Sequence, residues 1–201
     1  MITGAVLAGG TSSRFGSEKA VAPFRSASMI MHVLRVLSET TDETLVAVAP
    51  GKGTHYRNLL DDEVFVVEDD EYGIGPIKGL VTALGAARGD YVLISPCDTP
   101  LLRREVCEIT ISRAKGFDGA VPVVRGFLEP LHACYSRSKC LNAFIKSLEE
   151  GMRRPKDAYH LLNLATVEEA DLRRVDPHLT SFLNVNSEED LASALKQAEK
   201  Q

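Results

Sequence analysis

The chain has 201 residues, 44% hydrophobic and 25% charged, with 23 Lys plus Arg against 28 Asp plus Glu for a formal charge of −5. That balance excludes a disordered chain, suits one domain with a sizeable core, and argues against a nucleic-acid binder, whose footprint would be basic. No apolar run approaches the ~20 residues of a membrane span, and MITGAVLAGG has no basic flank ahead of its apolar stretch, so it reads as a first strand and not a signal peptide.

In chain order, ITGAVLA (2–8) is a strand that runs into a Gly/Ser loop. Ile30, Val33, Leu34 and Leu37 recur at helical spacing over 28–38. TLVAVA (44–49) is the second strand, THYRNLL a short helix and VFVVE (64–68) the third strand. A helix over about 76–88 starts at Pro76, a residue suited to a first turn. DYVLIS (90–95) is the most apolar strand and reads as central. A helix over about 101–115 and the strand GAVPVV (119–124) follow. Repeated strand–helix–strand units of this length predict a mostly parallel sheet with helices on both faces.

Beyond residue 125 the pattern is less regular. FLEPLHACY (127–135) suits an antiparallel strand with Pro130 at a bulge or edge. Helices are expected at 137–150 and 155–165, and TVEEADLRRV and SFLNV as short strands. A closing helix over 187–199 has Ser187 as N-cap with Asp190 three residues on. The four cysteines, Cys97, Cys107, Cys134 and Cys140, show no paired spacing, which points to buried thiols in a reducing cytoplasm. The five histidines are scattered and read as structural or surface groups.

The strongest local signal is AVLAGGTSSRFGSEK (5–19). Gly9 and Gly10 let the backbone approach an anion and aim successive N–H groups at it, while Arg14 and Lys19 supply positive charge. It matches neither a Walker A loop nor GxGxxG, and a solvated turn remains the alternative to a phosphate site. GIGPIKG (73–79) reads as a helix start near a ligand. The acidic run 68–71 reads as a solvated turn, from which one carboxylate can still hold a ribose or amine. Asp98, between Pro96 and Pro100 after the central strand, suits a magnesium ion held by one or two carboxylates plus substrate phosphates; the alternative is a cap for the next helix. Arg153, Arg154 and Lys156 form a concentrated positive spot, either a solvated helix junction or a site for an acceptor phosphate.

LAGGTSSRFGSEK, GIGPIKG, SPCDTPLL, FLEPLHACY and FLNVNSEEDL occur here in an order that resembles the molybdenum cofactor guanylyltransferases, within the wider nucleotidyltransferase group, over nearly the whole chain. The resemblance implies an α/β fold, a Rossmann-like three-layer sandwich, as a single domain over 1–201. Its nucleotide-binding half would be about 1–124, its acceptor-binding lobe about 125–185, and helix 187–199 would close it. It implies transfer of GMP from GTP to the terminal phosphate of molybdopterin, with release of pyrophosphate and Mg2+ as cofactor. Lys19, Arg14 and Asp98 would be catalytic, with Asp98 on the metal. Leu7, Ala8, Gly9, Gly10, Asp69, Gly75, Pro76 and Gly79 would bind the nucleotide together with Lys19 and Asp98. Glu129, Pro130, Arg153, Arg154, Asn184 and Asn186 would bind the acceptor. The resemblance favours guanine, through Gly9-Gly10, over the cytosine of CTP-using relatives. Expected partners are these two small molecules, in the cytoplasm, with transient contact to molybdoenzymes or other cofactor-biosynthesis proteins and none to nucleic acid or membrane. The chain departs from the pattern at Ser26-Ala27-Ser28, where a Gly-Lys-Pro-like turn is usual, at Ala49 in place of Asn, and at Phe15 in place of Met.

Overall fold

The structure is a computed structural model that describes residues 1–9, 19–71 and 75–199. β1 (Ile2–Ala8), β4 (Glu43–Val48), β5 (Phe65–Glu68) and β6 (Tyr91–Pro96) pair in parallel in the order β5-β4-β1-β6, after the short hairpin β2 (Pro23–Phe24) and β3 (Ala27–Ser28). The crossovers are α1 (Met29–Thr40), α2 (Gly53–Leu59) and α3 (Pro76–Ala86). α4 (Arg104–Ala114) leads to β7 (Gly119–Val124), but β7 does not lie beside β6. β9 (Cys134–Ser136) is inserted between them, antiparallel to both, and β10 (Leu164–Val167) pairs in parallel with the outer side of β7.

Apolar residues at helical spacing decide which face of the sheet each helix covers. Ile30, Val33, Leu34 and Leu37 of α1 and Val106, Cys107 and Ile111 of α4 form one buried cluster with Val6, Val46 and Leu93 of the sheet. Ile77, Leu80, Ala83 and Leu84 of α3 and Ala143 and Phe144 of α5 (Arg137–Glu149) form the other, with Ala5, Leu45, Ala47 and Ile94. Val6 against Ala5, and Val46 against Ala47, show strand alternation feeding two cores. The result is the expected helix–sheet–helix sandwich.

The later elements differ from the sequence reading. The stretch 127–135 is two strands, β8 (Phe127–Leu128) on β7 and the separate β9. Pro130 has no N–H to give a ladder, and the chain turns there instead, with His132 N–H donating to Glu129 O. Residues 155–165 are not an α-helix: a 3-10 helix, Pro155–Leu161, is followed by β10. TVEEADLRRV is the end of β10 and then α6 (Glu169–Val175), whose acidic first turn and basic last turn suit the helix dipole. SFLNV is no strand but a 3-10 turn, Thr180–Phe182, and an extended tail. The closing α7 (Glu188–Ala198) has the expected cap, Asp190 N–H donating to Ser187 Oγ at 3.1 Å. None of the cysteines forms a disulfide, and burial pushes the thiols of Cys107, Cys134 and Cys140 up to about 12. No described helix is long and apolar enough to cross a membrane.

Candidate active site

In an open parallel sheet, a crevice forms outside the carboxyl ends of two neighbouring strands whose following connections leave in opposite directions. Here those strands are β1 and β6, with β4 on the far side of β1. Their ends are held together past the last ladder pair, Leu7 with Pro96, by Cys97 N–H donating to Leu7 O at 3.1 Å. Leu7 and Ala8 face opposite cores there, and Gly9 ends the described segment. Gly10 and Arg14 lie outside the described residues.

Lys19, the first residue of a 3-10 turn, reaches back into this crevice. Its Nζ donates to Asp98 Oδ2 at 2.5 Å and to Asn186 Oδ1 at 2.6 Å. The pair is largely sheltered, at 14% and 17% side-chain exposure. Asp98 O accepts from Val185 N–H at 2.8 Å, which brings the 184–186 tail to the end of β6. The 3-10 turn just before that tail is anchored by the buried Asp176, which accepts from Thr180 Oγ1 and Ser181 N–H and pairs with Arg103. Asp98 is not a helix cap, since α4 begins at Arg104 with Arg103 as its N-cap. The remaining Asp98 oxygen, Oδ1, is buried with no hydrogen-bond partner among the described residues. Those residues hold no cluster of three or more His, Cys, Asp or Glu that would cage a metal. One unsatisfied hard oxygen without a cage fits Mg2+, which takes few protein carboxylates and completes its shell with substrate phosphates and water.

Beside β1, Asp69 follows β5, its N–H donating to Val48 O. A Cβ built on Gly9 would stand 3.4 Å from Asp69 Oδ2, so the first glycine of the loop lies against this carboxylate. Burial raises the Asp69 carboxyl above its ordinary range, with Thr82 and Lys78 pulling the other way. Asp70 is exposed and paired with Lys78 at 2.5 Å, the solvated part of the acidic run. α3 starts with Gly75 as N-cap and Pro76 at its first position, and Gly79 lies in ordinary contact distance of Leu7.

A cleft of about 380 Å³ opens from Asp98. Pro76, Asn184, Glu129, Pro130 and Arg154 line it, so most residues expected to hold the acceptor share one cavity with the expected metal ligand. Two of the expected acceptor residues stand elsewhere. Asn186 bonds to Lys19, and the backbone carbonyl of Arg153 packs against Gly75, where a built Cβ would stand 3.1 Å from it. Lys156, Leu128, Leu131 and His132 also line the cleft. His132 is one of the five histidines expected as structural or surface groups. It is buried against Phe182, ring centroids 5.0 Å apart, and burial pushes its imidazole down to about 3, so it is neutral. Its place in the HACY run next to Pro130 was the available signal.

Residues 4–163 match the MobA-like NTP transferase domain family. The chain belongs to this family. Among its MobA-like relatives, a protein of Desulfosudis oleivorans named molybdenum cofactor guanylyltransferase is 34% identical over 196 residues, covering 96% of this chain and 94% of the relative. The crystal structure of molybdopterin-guanine dinucleotide biosynthesis protein A from Archaeoglobus fulgidus superimposes with a TM-score of 0.83 at 26% identity, covering 99% of this chain and all of that one. The MobA-like match takes in the Gly9 turn, Lys19, Asp69, α3, Asp98 and Glu129; Asn184 and Asn186 lie beyond it.

Proposed function

We propose that the protein transfers GMP from GTP to the terminal phosphate of molybdopterin, forming molybdopterin guanine dinucleotide and releasing pyrophosphate. The observation that carries this reading is the Lys19–Asp98–Asn186 junction at the β1/β6 crevice, opening into a cleft that Arg154 and Lys156 line.

In this reading the nucleotide lies over the end of β1, with its phosphates toward the loop after Gly9. Asp69 and the start of α3 flank the nucleoside. The acceptor enters the cleft with its phosphate toward Arg154 and Lys156. An acceptor phosphate oxygen attacks the α-phosphorus in line, a new P–O bond forms, and the bond to the bridging oxygen of the β-phosphate breaks as pyrophosphate leaves. The nucleophile is already an anion, so no general base is needed; His132, neutral and buried, is not asked for one. The protein's work is positioning and charge neutralisation. Two like unit charges 4 Å apart repel by about 4 kcal/mol at an effective dielectric near 20. Lys19 on the triphosphate side and Arg154 and Lys156 on the acceptor side offset that repulsion. Asp98 would hold Mg2+, which when bound draws charge from the triphosphate and aligns it.

The test is pyrophosphate release from GTP and Mg2+ with and without molybdopterin, and the same with CTP. Acceptor-dependent release with GTP preferred at least about tenfold is expected, since a pyrimidine leaves buried purine-edge partners unpaired at about 1–3 kcal/mol each. Equal use of CTP would replace the guanylyl assignment with a cytidylyl one, and release without acceptor would remove molybdopterin.

A further inference from the structure

The cleft carries charge of both signs, and the two signs do not neutralise each other. Arg154 and Lys156 line it at the start of the 155–161 turn. Arg154 pairs with its own neighbour Asp157, at 3.5 Å. Glu129 lines it from the turn between β8 and β9. The Glu129 backbone is fully used, N–H to Pro122 O and O from His132 N–H. The residue is half-buried, Leu128, Pro130 and Leu131 line the same cleft, and burial raises its carboxyl above the ordinary glutamate range. No described residue hydrogen-bonds to that carboxyl or pairs with it, although two cations line the same cavity. A carboxylate partly withdrawn from water gains when a donor meets it. Neither Arg154 nor Lys156 pairs with it, which leaves an open acceptor in the cleft for a ligand that brings a donor.

On the guanylyl-transfer reading, we infer that Glu129 reads the acceptor's ring. Its two oxygens accept from two adjacent N–H groups of a 2-amino-4-oxo-pyrimidine edge, while Arg154 and Lys156 take the phosphate at the other end of the same molecule. A planar pair of donors matches a carboxylate in two parallel hydrogen bonds. Guanine carries the same donor pair. Glu129 is assigned to the acceptor because it shares the cleft with Arg154 and Lys156, whereas Gly9 and Asp69, which meet on the nucleoside side, are not among the residues that line it.

The experiment titrates wild-type protein, Glu129→Gln and Glu129→Asp with molybdopterin in the absence of GTP, and separately with GTP and Mg2+ in the absence of molybdopterin. Thermal melts accompany each variant. Glu129→Gln turns one acceptor oxygen into a donor that faces a donor. It is expected to weaken molybdopterin binding about 10- to 100-fold with GTP binding and melting temperature unchanged, and Glu129→Asp to recover part of the loss. Unchanged molybdopterin binding in Glu129→Gln overturns the assignment, and a loss that falls on GTP moves the residue to the guanine site. Because the titrations need no turnover, they separate this inference from the reaction. Wild-type protein that binds molybdopterin but releases no pyrophosphate would sink guanylyl transfer and leave Glu129 to be decided by the binding data. Wild-type protein that binds no molybdopterin overturns both.

Discussion

The Lys19 ammonium lies 2.5 Å from Asp98 Oδ2 across 79 residues of sequence, and the same ammonium reaches Asn186, a further 88 positions along. One cation therefore joins the loop after the first strand, the end of the central strand and the tail before the last helix. Removing the Asp98 carboxylate takes away one of the two acceptors of this junction. Asp98→Asn keeps a similar shape and should still fold, but it removes the anionic oxygen available to Mg2+. Turnover is expected to fall about 10²–10³-fold, equivalent to roughly 3–4 kcal/mol of transition-state stabilisation. Steady-state pyrophosphate release over a magnesium series checks this, and near wild-type rates at low magnesium would take Asp98 out of the site.

The two members of that ion pair are largely sheltered, so their loss is not additive. Lys19→Met leaves Asp98 without its cation and should destabilise the fold. Adding Asp98→Asn should return part of the loss, with a coupling of about 0.5–3 kcal/mol in a double-mutant cycle read from urea unfolding. Additive effects would mean that the pair contributes nothing beyond its separate surroundings.

Gly75, the N-cap of α3, and Gly79, inside its first turn and a half, make opposite predictions. Gly75 has φ +99° and faces the Arg153 carbonyl, so Gly75→Ala combines backbone strain with a tight contact. A loss of about 1–2 kcal/mol is expected, lowering the melting temperature by roughly 2–8 °C. Gly79 is an ordinary helical position with room for a methyl group, so Gly79→Ala should hold or raise stability by up to about 1 kcal/mol. If Gly79→Ala nonetheless impairs GTP use, the glycine serves the ligand's approach and not the fold.

Among the basic residues, position in the cleft separates the roles. Arg154 and Lys156 line it and Arg153 does not. Arg154→Ala and Lys156→Ala should each raise the KM for molybdopterin about tenfold with GTP binding nearly unchanged, while Arg153→Ala should leave it within about twofold. Unchanged acceptor kinetics in the Arg154, Lys156 double variant would return these cations to the helix-end role.

Acid should weaken the fold through His132. Buried and neutral, it keeps its proton off down to about 3, whereas in the unfolded chain it titrates near 6.5. As pH falls below 6.5 the unfolded chain takes up a proton that the folded one refuses. Stability is therefore present above that pH and is lost by up to about 1.4 kcal/mol per pH unit below it. Asp69 and Glu129, raised by burial, act in the opposite sense, so the histidine is isolated by comparing slopes. Urea unfolding between pH 7.5 and 5 should show a shallower loss in His132→Asn than in the parent chain; equal slopes would mean that His132 gains a proton in the folded state.

The elements that could be read from sequence are those whose evidence is local. Ile30, Val33, Leu34 and Leu37 mark one face of α1 by their spacing, and an unbroken apolar run marks β6 as central. The glycine turn, Lys19 and Asp98 point from sequence to phosphate binding because few other tasks need those groups after parallel strands, and Mg2+ at Asp98 is part of the proposed function. The region from 127 to 185 was misread in part for a complementary reason. β8, β10 and the 155–161 turn are two to seven residues long, too short to show a period. β9 exists because Tyr91–Leu93 on one side and Gly119–Ala120 on the other supply its ladder. Their identity is set by partners distant in sequence. The same holds for the site. Sequence offers its candidates one by one, but it does not bring Asn186 to Lys19, send Arg153 to Gly75, or put Glu129 and His132 in one cleft with Asp98. Those relations depend on the switch in strand order at β1/β6 and on the insertion of β9. Close packing then decides which side chains share a cavity, and no spacing along the chain encodes that.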